Sequence, residues 1–316
     1  MRHSSPTFFH NSYICMNLCF VGYSYIGWGT DEKAIICLLG HRNATQRKEI
    51  RVVYEQLYQE DIIKRLESEL SGDFERAVYR WTLDPADCDA VLANLAIKKP
   101  ECNYNVIIEI FSVRCPEELL AVTKAYQLRY KCSLEEDLAQ HTNGDIRKLL
   151  VALVTAYRCD GNEINVKLAN SEANILQDAI KDECFNHEEI IRILSTRSKT
   201  QFMATFNKYR DDHGNSISKN FLEDGANDFQ KALHTAVRCL NDHKKCFEKV
   251  LRKAIIGTGT NEDALTRVIV TRAEKDLNDI MEVYYKKNSV PLEQAVAQDT
   301  SGDYKTFLLT LLGKKD

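Results

Sequence analysis

"LLGHRNATQR", residues 38–47, decides the fold of this chain. An apolar helical segment ends just before Arg42 and another begins just after it. The passage recurs as "IFSVRCPEEL" (110–119) around Arg114, "ILSTRSKTQF" (193–202) around Arg197 and "VIVTRAEKDL" (268–277) around Arg272. Its phase holds in both directions. Seven residues before each arginine lies Ile35, Ile107, Ile190 or Leu265, and twelve after lies Tyr54, Tyr126, Tyr209 or Tyr284. Twenty after come Ile62, Leu134, Ile217 and Leu292, and thirty-one after come Asp73, Asp145, Asp228 and Asp303. An internal period of this kind is read first, because each unit is then one structural module.

The arginines are 72, 83 and 75 residues apart. Each unit is therefore about 70 residues long, with extra chain around "CDGNEINVKLAN" (159–170). Apolar residues recur at three and four, as in "AVYRWTLDPADCDAVLANLAI", without the alternation of a strand. The five prolines stand at segment starts, where no helix hydrogen bond is lost. We expect an all-α fold of four repeats, each of about five helices: a tail at 1–11, repeat 1 at 12–83, repeat 2 at 84–155, a linker at 156–166, repeat 3 at 167–238 and repeat 4 at 242–313. The shared arginines and tyrosines read as packing residues, the arginines placed to satisfy carbonyls at helix ends. Function is then sought where the repeats differ.

Composition narrows the classes. The chain has 316 residues, 44% of them apolar, which supplies a large core. Its 42 basic and 46 acidic residues leave a net charge of −4, against any nucleic-acid binder. Eleven cysteines without a CxxC pair imply neither a disulfide framework nor a zinc ribbon, and reduced thiols in the cytoplasm are expected. The aromatic and cysteine-rich first 26 residues lack a clean cleavage site and do not read as a secretion signal. No apolar run reaches the roughly 18 residues of a membrane span.

"GWGT" at 27–30 and "GTGT" at 257–260 are the informative difference. Forty residues after the second glycine of each stands an acid, Glu69 after Gly29 and Asp299 after Gly259. Two glycines that let the backbone turn its carbonyls outward, with one carboxylate from a distant loop, make an oxygen cage for a hard cation, which means Ca2+. In unit two these positions are Lys99, Glu101 and His141, and in unit three Asp182, Cys184 and Asp224, so no calcium is expected there.

With these residues in view the chain resembles the annexin family, plant annexins in particular, over all four units; GxGT followed by a distant acid is the motif that carries the likeness. The resemblance implies four annexin-type repeats packed in one curved disc. It also implies a calcium held by the main-chain carbonyls of Tyr25, Gly27 and Gly29 with the Glu69 carboxylate, and a second held by the carbonyls of Ile255, Gly257 and Gly259 with Asp299. The implied function is calcium-dependent binding to anionic phospholipid membranes, the ion bridging protein and lipid phosphate, in a cytoplasmic protein that turns peripheral on membranes when calcium rises. A role in membrane trafficking or stress response follows the same resemblance. So low a ligand charge predicts weak sites, near the 10⁻⁴ M end of the range for calcium proteins. Trp28, at the tip of the first loop, is expected among headgroups; the competing reading folds it back onto its own loop.

Rival readings stand beside this one. By the same resemblance His41 matches a proposed haem ligand for a weak peroxidase activity, and as a lone histidine beside a helix end it equally reads as a cap. "DDHG" (211–214) fits one GTP-binding element, without the phosphate-cradling loop a nucleotide phosphatase needs. "IRI" (191–193) resembles a proposed F-actin-binding tripeptide, or two core isoleucines around an arginine. The plant pattern often pairs a cysteine at the position of Ser112 with one matching Cys239, and only the second is present. The segment "MNLCFVGYSYI" (16–26) keeps only part of the apolar face seen before "GTGT", which predicts a poor first helix and a weaker first site, with Gly22 costing roughly 1 kcal/mol in a helix interior.

Overall fold

A computed structural model describes residues 31–155, 158–186, 188–221, 226–256 and 259–313. Among them are nineteen helices and no strand. Repeat 1 contributes α1 (Glu32–Leu39), α2 (Ala44–Tyr58), α3 (Ile62–Glu69) and α4 (Gly72–Thr82). Repeat 2 contributes α5 (Pro85–Ile97), α6 (Tyr104–Val113), α7 (Pro116–Tyr130), α8 (Leu134–His141) and α9 (Gly144–Thr155). In repeat 3 lie α10 (Val166–Lys181), α11 (Glu188–Thr196), α12 (Lys199–His213), α13 (Ile217–Asn220) and α14 (Asp228–Asn241). Repeat 4 closes with α15 (His243–Ile255), α16 (Glu262–Arg272), α17 (Leu277–Asn288), α18 (Leu292–Asp299) and α19 (Gly302–Leu311).

Short polar residues set the helix starts. Asn43, Ser133 and Asn227 each close a capping box with the Gln or Glu three residues on, which satisfies amide groups the helix itself leaves open. Pro85 and Pro116 open α5 and α7, where a missing N–H costs nothing.

The chain divides into two compact units. One takes the described residues up to Cys88 together with those from Phe247 on, and so joins repeats 1 and 4; the other runs from Asp89 to Cys246. In the first, α4 packs on α16 and α19. Phe74 meets Phe307 edge to face, and the Trp81 indole donates to the Leu39 carbonyl at 2.8 Å while the Arg47 guanidinium lies 3.6 Å above its ring. In the second, α10 packs on α12 and α6 on α14, around Phe111, Phe202 and Leu233.

The phased tyrosines are core residues: Tyr54, Tyr126, Tyr209 and Tyr284 are all buried, and three of them spend their hydroxyls inside their repeats, Tyr54 on Glu60, Tyr126 on Asp137 and Tyr209 on Gln177. Three of the four phased arginines differ from expectation. Arg114 grips Asp89 at 2.6 and 2.9 Å, Arg197 reaches Glu172 at 2.6 Å and Arg272 reaches Asp276 at 2.6 Å. Other arginines take the carbonyl role: Arg47 donates to the Arg42 carbonyl, Arg147 to that of Thr142, and Arg158 to those of Leu194 and Arg197. A buried guanidinium is held better by a carboxylate, in charge-assisted bonds roughly twice as strong as neutral ones. Arg158, with carbonyls as its acceptors, has its guanidinium pulled down by burial to about 10.

Candidate metal centre

In repeat 4 the helix α15 ends at Ile255, and its last carbonyls have no partner within the helix. They carry the negative end of the helix dipole, which favours a cation. The chain turns back at once: the Asn261 amide donates to the Ala254 carbonyl at 2.8 Å, closing a loop over Ile255–Thr260. Gly259 lies in this loop at φ +105°, a conformation a side chain would strain. Asn261 then caps α16 through the Ala264 amide.

The acid comes from another helix of the same repeat. Asp299 is the last residue of α18, and the Thr260 hydroxyl lies 2.6 Å from its Oδ2 and 3.0 Å from its carbonyl oxygen. Ile255, Gly259 and Asp299 thus belong to one loop cluster, while Gly257 lies outside the described residues. Sequence reasoning treated the threonine of "GTGT" only as part of a pattern; its constant spacing of thirty-nine residues from the acid, Thr30 to Glu69 and Thr260 to Asp299, was the available signal. It also passed over Ile256, an apolar side chain 64% exposed on the loop.

In repeat 1, Tyr25, Gly27, Trp28 and Gly29 lie outside the described residues, as does the segment 16–26. Glu69 is described: it ends α3, and Arg65 one turn earlier pairs with it at 2.9 Å. Repeat 4 carries Ala295 where repeat 1 has Arg65, so Asp299 meets no such cation from its own helix. Glu69 and Asp299 line one cleft of about 430 Å³ within the first unit, together with Glu32, Asp73, Glu262 and Asp303. These acids correspond pairwise across a shift of 230 residues. A concave wall of carboxylates raises the local concentration of cations.

Repeat 2 keeps the loop and changes its chemistry. The Asn103 amide donates to the Ala96 carbonyl at 2.9 Å, the same closure as in repeat 4. At the acid position stands His141, whose Nε2 lies 3.5 Å from the Lys98 ammonium, and that ammonium also bonds Asp137 at 2.8 Å. A lysine cation occupies this corner of the fold. Repeat 3 shortens the closure, from the Cys184 amide to the Ala179 carbonyl at 2.8 Å, with Glu183 at φ +53°; Asp224 lies outside the described residues.

The other candidate residues find structural places. His41 is exposed on the turn between α1 and α2. Residues 211–213 of "DDHG" are the last turn of α12 and Gly214 is its left-handed C-cap. That is the negative end of a helix, unsuited to phosphate. Ile191 and Ile193 are core, and Arg192 between them pairs with Glu189 at 2.6 Å. Among the described residues no three His, Cys, Asp or Glu side chains converge to hold a metal, and a cage of peptide carbonyls with one carboxylate contains no such group. Among them, too, no helix is long and apolar enough to cross a membrane.

The family model for annexin matches residues 23–81, 88–153, 171–236 and 247–311, four copies in succession. The chain is 82% identical over 290 residues to annexin-like protein RJ4 of Fragaria ananassa, covering 92% of each, and 54% identical over 292 residues to annexin D6 of Arabidopsis thaliana, again 92% of each. It is also similar to the crystal structure of calcium-bound annexin (Sm)1, with a TM-score of 0.82 at 30% identity, covering 95% of this chain and 90% of that one. Four family repeats in an all-helical fold, with plant relatives at this identity over nearly their whole length, make the chain a member of the annexin family.

Proposed function

We propose that the protein binds anionic phospholipid membranes when calcium rises, and that the ion is held in repeat 4 by the carbonyls of Ile255, Gly257 and Gly259 with the Asp299 carboxylate, and in repeat 1 by those of Tyr25, Gly27 and Gly29 with Glu69. The observation that carries this reading is the contact of Thr260 with Asp299, which brings the acid to the glycine loop. A calcium solved in a relative, annexin (Sm)1, supports the choice of ion. With one formal ligand charge the ion keeps positions for water or a lipid phosphate oxygen, and so links an acidic chain to an acidic surface. Trp28 and Ile256 enter the headgroup layer beside the two ions, where apolar and indole groups are favoured.

The test is co-sedimentation with vesicles of phosphatidylserine and phosphatidylcholine, in calcium and in chelator. Pelleting confined to calcium and to the anionic vesicles is expected. Equal pelleting in both conditions would sink the bridging mechanism.

A further inference from the structure

Two thiols outside the candidate metal centre are set against each other. Cys239 lies in the last turn of α14 and Cys246 in the first turn of α15, with only Asp242 between the two helices. Their sulfurs are 3.0 Å apart, and both side chains are buried, 1% and 6% exposed. A disulfide needs the sulfurs at about 2.05 Å, so closure asks for about 1 Å of approach, within reach of small side-chain rotations at two helix ends.

The geometry points to a modification site: Cys239 and Cys246 form an intramolecular disulfide when the protein meets a two-electron oxidant of the peroxide class. One thiol loses its proton and its sulfur attacks hydrogen peroxide; the S–O bond forms, the O–O bond breaks, and the departing hydroxide leaves as water with that proton. The second sulfur then attacks the sulfenic sulfur; the S–S bond forms, the S–O bond breaks, and the second hydroxide leaves as water with the second thiol's proton. Two thiols are oxidised and one peroxide is reduced to two waters. The thiol–thiol bond to Cys246 and, after it, burial hold the Cys239 thiol well above its ordinary value. Attack therefore waits on a thiolate and on brief opening of the helix junction, and the pair reacts more slowly than the exposed Cys37, Cys115 and Cys159. The product ties the end of α14 to the start of α15, and a thiol reductant releases it.

The sequence makes the product easy to read. Trypsin cuts after Arg238, Lys244, Lys245 and Lys249, which puts Cys239 in the peptide 239–244 and Cys246 in the peptide 246–249. After oxidation of the full native chain with hydrogen peroxide, unfolding in the presence of an alkylating agent and digestion without reductant, mass spectrometry should find these two peptides joined. The joined species should vanish on treatment with dithiothreitol and be absent from Cys246→Ser. The proposal is overturned if both peptides remain separate and alkylated once Cys37, Cys115 and Cys159 have been oxidised, or if Cys239 is found joined to any other cysteine. The wild-type measurement decides the matter even where the serine variant folds poorly.

Discussion

The Thr260 hydroxyl stands 2.6 Å from Oδ2 of Asp299, thirty-nine residues away in the chain. It ties the glycine loop to the acid before any ion arrives, and a carboxylate fixed in place gives up less freedom on binding than one that must be gathered. We expect Thr260→Val to raise the calcium required for half-maximal vesicle binding by on the order of fivefold, the effect of one hydrogen bond. Isothermal titration and co-sedimentation should agree on it, and an unchanged requirement would mean the loop is ordered without the threonine.

Asp299→Asn should cost more calcium affinity than Glu69→Gln. Each change removes the only formal charge of its site, but Glu69 already spends part of its charge on Arg65 at 2.9 Å, whereas Asp299 has no arginine one turn before it. Vesicle titrations in which Glu69→Gln is the more harmful would place the dominant site in repeat 1.

Arg65→Ala should strengthen the first site. In the Asp299→Asn background, where repeat 4 is silenced, losing the competing guanidinium should lower the calcium requirement by a few-fold, in keeping with the roughly 0.2 to 1 kcal/mol of an exposed pair. A rise would show that Arg65 holds Glu69 in its binding position.

Stability should fall at low pH through Glu248. This buried carboxylate is raised by desolvation, but bonds from Lys287 at 2.6 Å and Asn288 at 3.2 Å outweigh that and leave it below its ordinary 4.5. A group depressed on folding stabilises fully above its unfolded value and loses that contribution as pH falls through the lower folded value. Urea unfolding from pH 6 down through 4 should therefore show a slope that Glu248→Gln reduces. A variant with the same slope would move the acid sensitivity to other carboxylates, of which Asp137 is also depressed: desolvation raises it and the Lys98 and Tyr126 bonds prevail.

Trp81 anchors repeat 1. Replacing it with phenylalanine removes the indole bond to the Leu39 carbonyl and weakens the ring beneath Arg47, for a loss of about 1 to 3 kcal/mol in unfolding free energy. Calcium-dependent vesicle binding of the folded fraction should be unaffected.

The fourfold plan was legible because core positions repeat: a buried tyrosine twelve residues after each arginine is a packing requirement, and packing leaves a period in the residues. The partners of those arginines were less so. Asp89 and Glu172 each lie twenty-five residues before the arginine they bind, a spacing that becomes visible only once the helices are known to return alongside one another. The pairing of Arg65 with Glu69 was open to reading, since residues four apart share a helix face. The turn of Lys98 toward His141, and the meeting of Cys239 with Cys246, depend on how one helix end faces another across a short link. No periodicity records that.

Loop closure in repeats 2 and 4 uses the same backbone bond, Asn103 to Ala96 and Asn261 to Ala254, although one loop carries lysine and glutamate where the other carries glycines. The turn is thus held by peptide groups that every residue supplies, so the frame stands whether or not its loop carries the glycines of the proposed ion site. Exchanging the residues of such a loop therefore leaves the bond that joins the helices on either side in place.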